Sequence, residues 1–294
     1  MPPGTCVRAP TATAAESRHG ETLMGEDDGV NGLDVAGALT LLRLGEISVE
    51  GRIVDASNAT LFCRICHEGL DAMCVYKPVA GERALWDFPD GTLAGREVAA
   101  HLVSEATGWG VVPPTVLREG PFGLGMVQLW VDTDPDVELV DVVAPGSVPL
   151  GWLRVFDGLG SGGRPVVLAH ADDDRLRRMA VLDVVLNNAD RKGGHVLPLA
   201  DGTVHGVDHG VTFHVESKLR TVLWGWAGEP LSDTEREVLQ RLSAQLDGEL
   251  GSTLGSMLTR AEVRATQRRV DRLMTDAHLP FPDDGWPAIP WPPF

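Results

Sequence analysis

The feature that most constrains this chain is a change of period. Between residues 51 and 131 the sequence carries five strand-like runs and a single helical one, and beyond residue 136 the helical period takes over. The strand runs are Gly51 to Asp55, Ala59 to Cys66, Met73 to Lys77, Val111 to Gly120 and Gly125 to Val131. The helical run, Leu93 to Ala106, has Val98, Ala99, Leu102 and Val103 on one side. Asp132-Thr133-Asp134-Pro135-Asp136 is a polar break. Strands first and helices later predict an α+β fold in two lobes, an N-lobe of antiparallel sheet with one helix and a mainly helical C-lobe. The expected organisation is a disordered leader at 1–32, an N-lobe at 33–131, a C-lobe at 132–278 and a Pro/Trp-rich tail at 279–294.

Helix signals fill in both ends. Leu33 to Leu42 predicts a short helix ending near Gly45, and Asp172 or Asp173 can cap one running through Leu176, Met179 and Leu186. Ser232-Asp233-Thr234-Glu235 and Thr259-Arg260-Ala261-Glu262 both match the capping box.

Charge narrows the partners. With 25 basic and 42 acidic residues the formal net charge is -17, which opposes duplex nucleic acid and anionic bilayers. The N-terminus lacks a secretory pattern and no apolar run reaches membrane-spanning length, so the expected location is cytoplasmic and the four cysteines are expected to be reduced. Cys63-Arg64-Ile65-Cys66-His67 matches the C-x-x-C-H haem pattern, but one such motif on a strand is explained by core cysteines.

Chemistry concentrates elsewhere. Only Lys77, Lys192 and Lys218 are lysines, in a chain that otherwise uses arginine, and the two cations do different jobs. Lys77 closes a strand just before Pro78. Glu97 lies early in the helical run, where it either favours the helix dipole or anchors that lysine. Ala56-Ser57-Asn58 is a short polar connection that reads as a plain hairpin turn or as a phosphate-facing loop. The polar residues of Met179 to His214 follow an apolar run and end in Asp208-His209-Gly210, so two carboxylates fall near the tips of successive elements. A phosphoryl-transfer site is often laid out this way.

These motifs, in this order, resemble the phosphatidylinositol 3- and 4-kinase-like superfamily. The likeness is strongest to type II phosphatidylinositol 4-kinases, to HipA-type kinases and to a group of actinobacterial proteins assigned to that superfamily. Val75-Tyr76-Lys77-Pro78 looks like its nucleotide-lysine strand, Gly95 to Leu102 with Val111 to Thr115 like its glutamate helix and following strand, and Asn187-Asn188-Ala189-Asp190-Arg191-Lys192 like its N-x-D-R loop. The likeness covers roughly Gly51 to His214.

The resemblance implies an ATP-dependent phosphotransferase acting on a protein or small-molecule hydroxyl, with Mg²⁺ or Mn²⁺ as metal. It implies that Ser57, Asn58 and Thr60 cover the phosphates, that Lys77 contacts them while held by Glu97, and that Gln128, Leu129 and Trp130 lie beside adenine. Asp190 would orient or deprotonate the acceptor, Lys192 would stabilise transferred charge, and Asp208 would bind metal. Two departures stand out. His195 occupies the position where the family usually has an asparagine as second metal ligand, and the phosphate loop lacks glycine. The alternative these departures raise is a degenerate nucleotide-binding regulatory or scaffold module.

Overall fold

The computed structural model describes residues 33–53, 58–283 and 285–294. The expected disordered leader at 1–32 therefore lies outside the described residues. The fold is α+β and two-lobed. Helix α1 (Val35–Leu44) starts where the Asp34 carboxylate accepts the Gly37 N–H, and presses Ala38, Leu41 and Leu42 onto a sheet. That sheet contains β1 (Glu46–Arg52), β2 (Leu61–His67), β3 (Leu70–Pro78), β4 (Thr115–Gly120) and β5 (Gly123–Leu129), fully antiparallel in the order β1-β2-β3-β5-β4. Glu68 and Gly69, at φ 48° and 85°, form the two-residue turn between β2 and β3, a twist that matches a tight hairpin.

Strand alternation sorts the faces. On β3, Ala72, Cys74 and Tyr76 point into the α1 core, which leaves Val75 and Lys77 on the opposite face. Cys63 and Cys74 face each other across β2 and β3 as buried free thiols, the core role expected of strand cysteines. Cys66 departs from the expected reduced state, being disulfide-bonded.

Helix α2 (Leu93–Thr107) covers the Lys77 face. Thr92 caps its start, Gly108 at φ 72° ends it, and Ala94 and Val98 pack on Met126, the cross-strand neighbour of Lys77. Eleven of its fifteen residues are buried, because its other side joins the core of the second lobe through Ala99, Ala100 and Val103.

The second lobe opens with strands that the sequence did not announce. Strands β6 (Val140–Val143), β7 (Trp152–Leu159) and β8 (Pro165–Ala171) form an antiparallel sheet in the order β6-β8-β7. Helix α3 (Asp174–Leu186), capped by Asp173, leads into the hairpin β9 (Val196–Pro198) and β10 (Val204–Gly206). Helices α4 (Asp233–Leu246), α5 (Glu249–Leu254) and α6 (Arg260–Asp276) follow, and both expected capping boxes are formed, by Ser232 with Glu235 and by Thr259 with Glu262. Leu176, Met179, Leu182, Leu239, Leu242 and Val270 fill the core between them. Among the described residues no helix is long and apolar enough to cross a membrane.

The C-terminal tail packs on this lobe. The Ala288 carbonyl accepts from the Thr221 N–H and the Trp224 indole, Ile289 joins the core, and the Pro293 carbonyl accepts from the Gly193 N–H. The Phe294 ring lies against Gly193 where any larger residue would place its Cβ.

Burial of histidine gives this fold a pH signature. His101 in α2 is 1% exposed, with Nδ1 3.3 Å from the Val112 carbonyl, and burial pulls its pKa down to about 4. A depressed histidine pKa means that the unfolded chain takes up a proton first. Stability is therefore full above the unfolded value of 6.5 and falls as the pH drops from there toward 4, by roughly 3 kcal/mol from His101 alone. His170 and His205 are shifted the same way by burial and act in the same direction. Urea unfolding of wild type and His101→Gln between pH 7 and 4 checks this. The variant is expected to show the flatter dependence, and parallel curves would remove His101 as a cause.

Candidate active site

Three elements far apart in sequence meet at Lys77. Its ammonium lies 2.8 Å from Glu97 Oε1 and also bonds Asp208 Oδ1, so α2 and the segment after β10 converge on the end of β3. Burial opposes the lysine's charge, but the Glu97 carboxylate and then that of Asp208 outweigh it, so its pKa lies above the ordinary value. Reciprocally, Lys77 is the main reason the Asp208 carboxyl titrates well below the usual range.

Glu97 is 2% exposed and uses both oxygens, Oε1 on Lys77 and Oε2 as acceptor for the His209 N–H at 2.8 Å. It thus fixes the lysine and the backbone of Asp208-His209-Gly210 together. Asp208 has φ 59°, a left-handed conformation that aspartate tolerates better than most residues.

Beneath the loop lies a buried network. Asp183 and Arg191 are both fully buried, with Nη2–Oδ1 at 2.9 Å and Nε–Oδ2 at 3.0 Å. The Asn188 amide also donates to Asp183, and its Oδ1 accepts the Asp190 N–H at 3.0 Å. Arg191 bonds the carbonyls of His195 and Val207 and places Nη2 2.6 Å from His209 Nε2. Burial, followed by the Arg191 charge, holds His209 well below its ordinary pKa, so the ring is neutral and Nε2 accepts. Arg191 thereby ties the 188–195 loop to the 207–209 segment.

His195 Nε2 lies 3.4 Å from Asp208 Oδ2, and burial lowers its pKa while Asp208 and Asp190 pull the other way. Its buried Nδ1 has no hydrogen-bond partner among the described residues. Lys192 Nζ is 3.4 Å from Asp190 Oδ2. Glu97, Lys77, Asp208 and His195 therefore form a chain of contacts in that order, and Asp190 with Lys192 forms a pair that acts electrostatically on His195.

The nucleotide-side residues are placed differently. Ser57 lies outside the described residues. Asn58 Oδ1 accepts the Arg83 N–H at 2.9 Å, and the buried Thr60 hydroxyl donates to the Asn58 carbonyl. Gln128 donates its side-chain amide to Thr115, while the N–H groups of Leu129 and Trp130 bond the Pro114 and Met73 carbonyls. Those donors are engaged within the sheet rather than free for a base. The residues that sequence reasoning gave no role are Asp183, Asn188, Arg191 and His209. The available signal was Asp183, a carboxylate in the apolar run of α3.

No family model matches the chain. Protein Rv2133c of Mycobacterium tuberculosis (strain ATCC 25618 / H37Rv) is 51% identical over 259 residues, covering 85% of this chain and 93% of that protein. The chain belongs to the Rv2133c family. Among solved structures, this chain matches the golgi casein kinase with a TM-score of 0.44 at 14% identity, over 83% of this chain and 74% of that one. It matches the Helicobacter pylori proinflammatory kinase CtkA with a TM-score of 0.38 at 10% identity, over 80% and 94%. Likeness at this level assigns neither chemistry nor substrate.

Proposed function

We propose that the chain is an ATP-dependent phosphotransferase acting on a hydroxyl of a protein or small molecule. The observation that carries this reading is Lys77 held between Glu97 and Asp208. A strand-end ammonium fixed by a helix carboxylate and set against a second, half-exposed carboxylate is the arrangement needed to grip a nucleotide's phosphates and their metal. The finer placement, beside type II phosphatidylinositol 4-kinases and HipA-type kinases, rests on motif order. The net charge of -17 favours a protein or small alcohol over a lipid or nucleic acid as acceptor.

The donor set suits a divalent cation that also takes phosphate and water ligands. Asp208 Oδ2 and the His195 imidazole converge, and among the described residues no cluster of three or more ligating side chains surrounds them. A nitrogen donor beside a carboxylate favours Mn²⁺ over Mg²⁺. Such an ion, when bound, neutralises charge on the phosphates. Lys77 holds the phosphates, and Asn58 and Thr60 line the approach to them from the loop before β2. Gln128 and Trp130 offer a wall to adenine rather than donors, while the Leu129 side chain is turned into the α1 core on the opposite face of the sheet. Asp190 accepts the acceptor hydroxyl's proton as its oxygen bonds to phosphorus and the bond to the departing ADP breaks. Lys192 balances charge on the transferred group.

The engaged hydroxyl of Thr60 and the presence of His195 favour a second reading, a module that binds nucleotide without transfer. Titration with ATP and either Mg²⁺ or Mn²⁺ separates the two. At about a hundredfold excess over Kd, binding is expected to add roughly 2.7 kcal/mol and raise the melting temperature by several degrees. Release of ADP alongside supports transfer, and stabilisation without it supports the module. Absence of any stabilisation counts against both. Intact-mass analysis shows whether phosphate or AMP is the group that moves.

A further inference from the structure

Helix α6 presents Arg268, Arg269 and Arg272 to one cleft, whose other wall includes Asn187, Glu216 and Ser217. The cavity there is about 220 Å³. It continues across Arg269 and Arg272 into a second cavity of about 120 Å³, with walls that include Leu219, Trp224, Leu273, Phe281 and Trp286. One end is therefore basic and the other mostly apolar.

The basic end carries more charge than the fold needs. Among the described residues, none of the ion pairs involves these three guanidiniums, in a chain whose net charge is -17. Arg269 is held by neutral acceptors alone, Nε on the Val185 carbonyl at 2.8 Å, Nη1 on the His214 carbonyl at 3.1 Å and Nη2 on Thr266 Oγ1 at 2.8 Å. Of a guanidinium's five N–H groups, those three bonds leave two. Burial, followed by the neighbouring Arg268 charge, pulls its pKa down to about 9. Arg269 has a structural role, joining α6 to the end of α3. Arg268 and Arg272 are exposed, make no comparable bond and still line the same space. Glu216 is the acidic residue on the wall of the first cavity and is exposed, so that end holds three cations against one anion, while the second cavity adds Asp276 and Asp283 to its lining.

We propose that this cleft binds a small organic phosphate, with the phosphoryl oxygens on Arg268, Arg269 and Arg272 and the apolar or aromatic part against Trp224, Leu273, Phe281 and Trp286. Guanidiniums bind phosphate through paired N–H donors, and a dianion suits three of them better than a carboxylate does. The ring-lined half selects the organic substituent. This site is separate from the Lys77 cleft and does not depend on the phosphotransfer reading.

Calorimetric titration of the full chain with phenyl phosphate and with inorganic phosphate, in metal-free buffer, tests it. The expected result is saturable binding of phenyl phosphate that is tighter than that of inorganic phosphate. The Arg268→Ala/Arg272→Ala protein should bind roughly tenfold or more weakly at an unchanged melting temperature. Arg268→Gln alone should be intermediate, which keeps the test available if the double variant folds poorly. Lys77→Ala should bind as wild type does. Absence of saturation, equal affinity for the two phosphates, equal affinity in wild type and the arginine variants, or loss of binding in Lys77→Ala would each overturn the proposal.

Discussion

Replacing Asp208 with asparagine is expected to lower ATP turnover by roughly a thousandfold while the protein stays folded. The side chain keeps its shape, and Lys77 keeps its 2.8 Å bond to Glu97, so the strand, the helix and the ammonium between them hold their places. What disappears is the one negative charge that faces both Lys77 and His195. An amide is a poor ligand for a hard divalent cation that must also accept phosphate oxygens, and charge on the transferred group is then left unbalanced. Steady-state turnover with Mg²⁺ and with Mn²⁺, beside circular dichroism, is the measurement. Activity within a few-fold of wild type would take Asp208 out of the reaction. A loss confined to one metal would assign the ion rather than the step.

The largest effect on stability is expected from Asp183→Ala. Asp183 and Arg191 are each 0% exposed, and removing the carboxylate strands a guanidinium where water cannot reach it. Breaking a buried pair in this way costs about 3–5 kcal/mol, which in a chain of this size lowers the melting temperature by roughly 6–20 °C. Asn188 loses its acceptor as well, and Arg191 loses the bonds that aim it at His209. Turnover should therefore fall in the folded fraction too. Chemical denaturation of Asp183→Ala against Asp183→Ala/Arg191→Leu decides the cause. The double variant is expected to regain part of the loss, because the stranded charge has gone. If both fall equally, the deficit comes from lost packing.

Much of this architecture is legible residue by residue, and the limits have physical reasons. The caps at Asp173, Ser232 and Thr259 act through local hydrogen bonds, so their side chains announce them in sequence. Lys77 and Glu97 could be paired because a strand end and a helix start are both readable positions. The β6-β8-β7 sheet was not readable, since β7 is largely exposed, bends at a register shift after Arg154 and shows no clean alternation. The occupied donors of Thr60, Gln128, Leu129 and Trp130 were equally hidden, because their partners are chosen by tertiary pairing. Arg191 looked like part of a motif. Only the fold shows it as the post on which His209 rests.

Helix α2 has a consequence for control. One side of it lies on Met126 in the sheet and the other is continuous with the core around Leu176 and Val270, while Arg96 at its start is locked to Glu262 of α6 with both side chains nearly inaccessible. A glutamate carried on such a helix has nowhere to rotate. Switching by withdrawing Glu97 from its lysine would mean prising apart two cores at once, close to the work of unfolding the domain. Amide exchange along α2 should accordingly proceed only at the global rate. The alignment of Glu97 with Lys77 is then a property of the fold itself, as firm as the two cores that α2 joins.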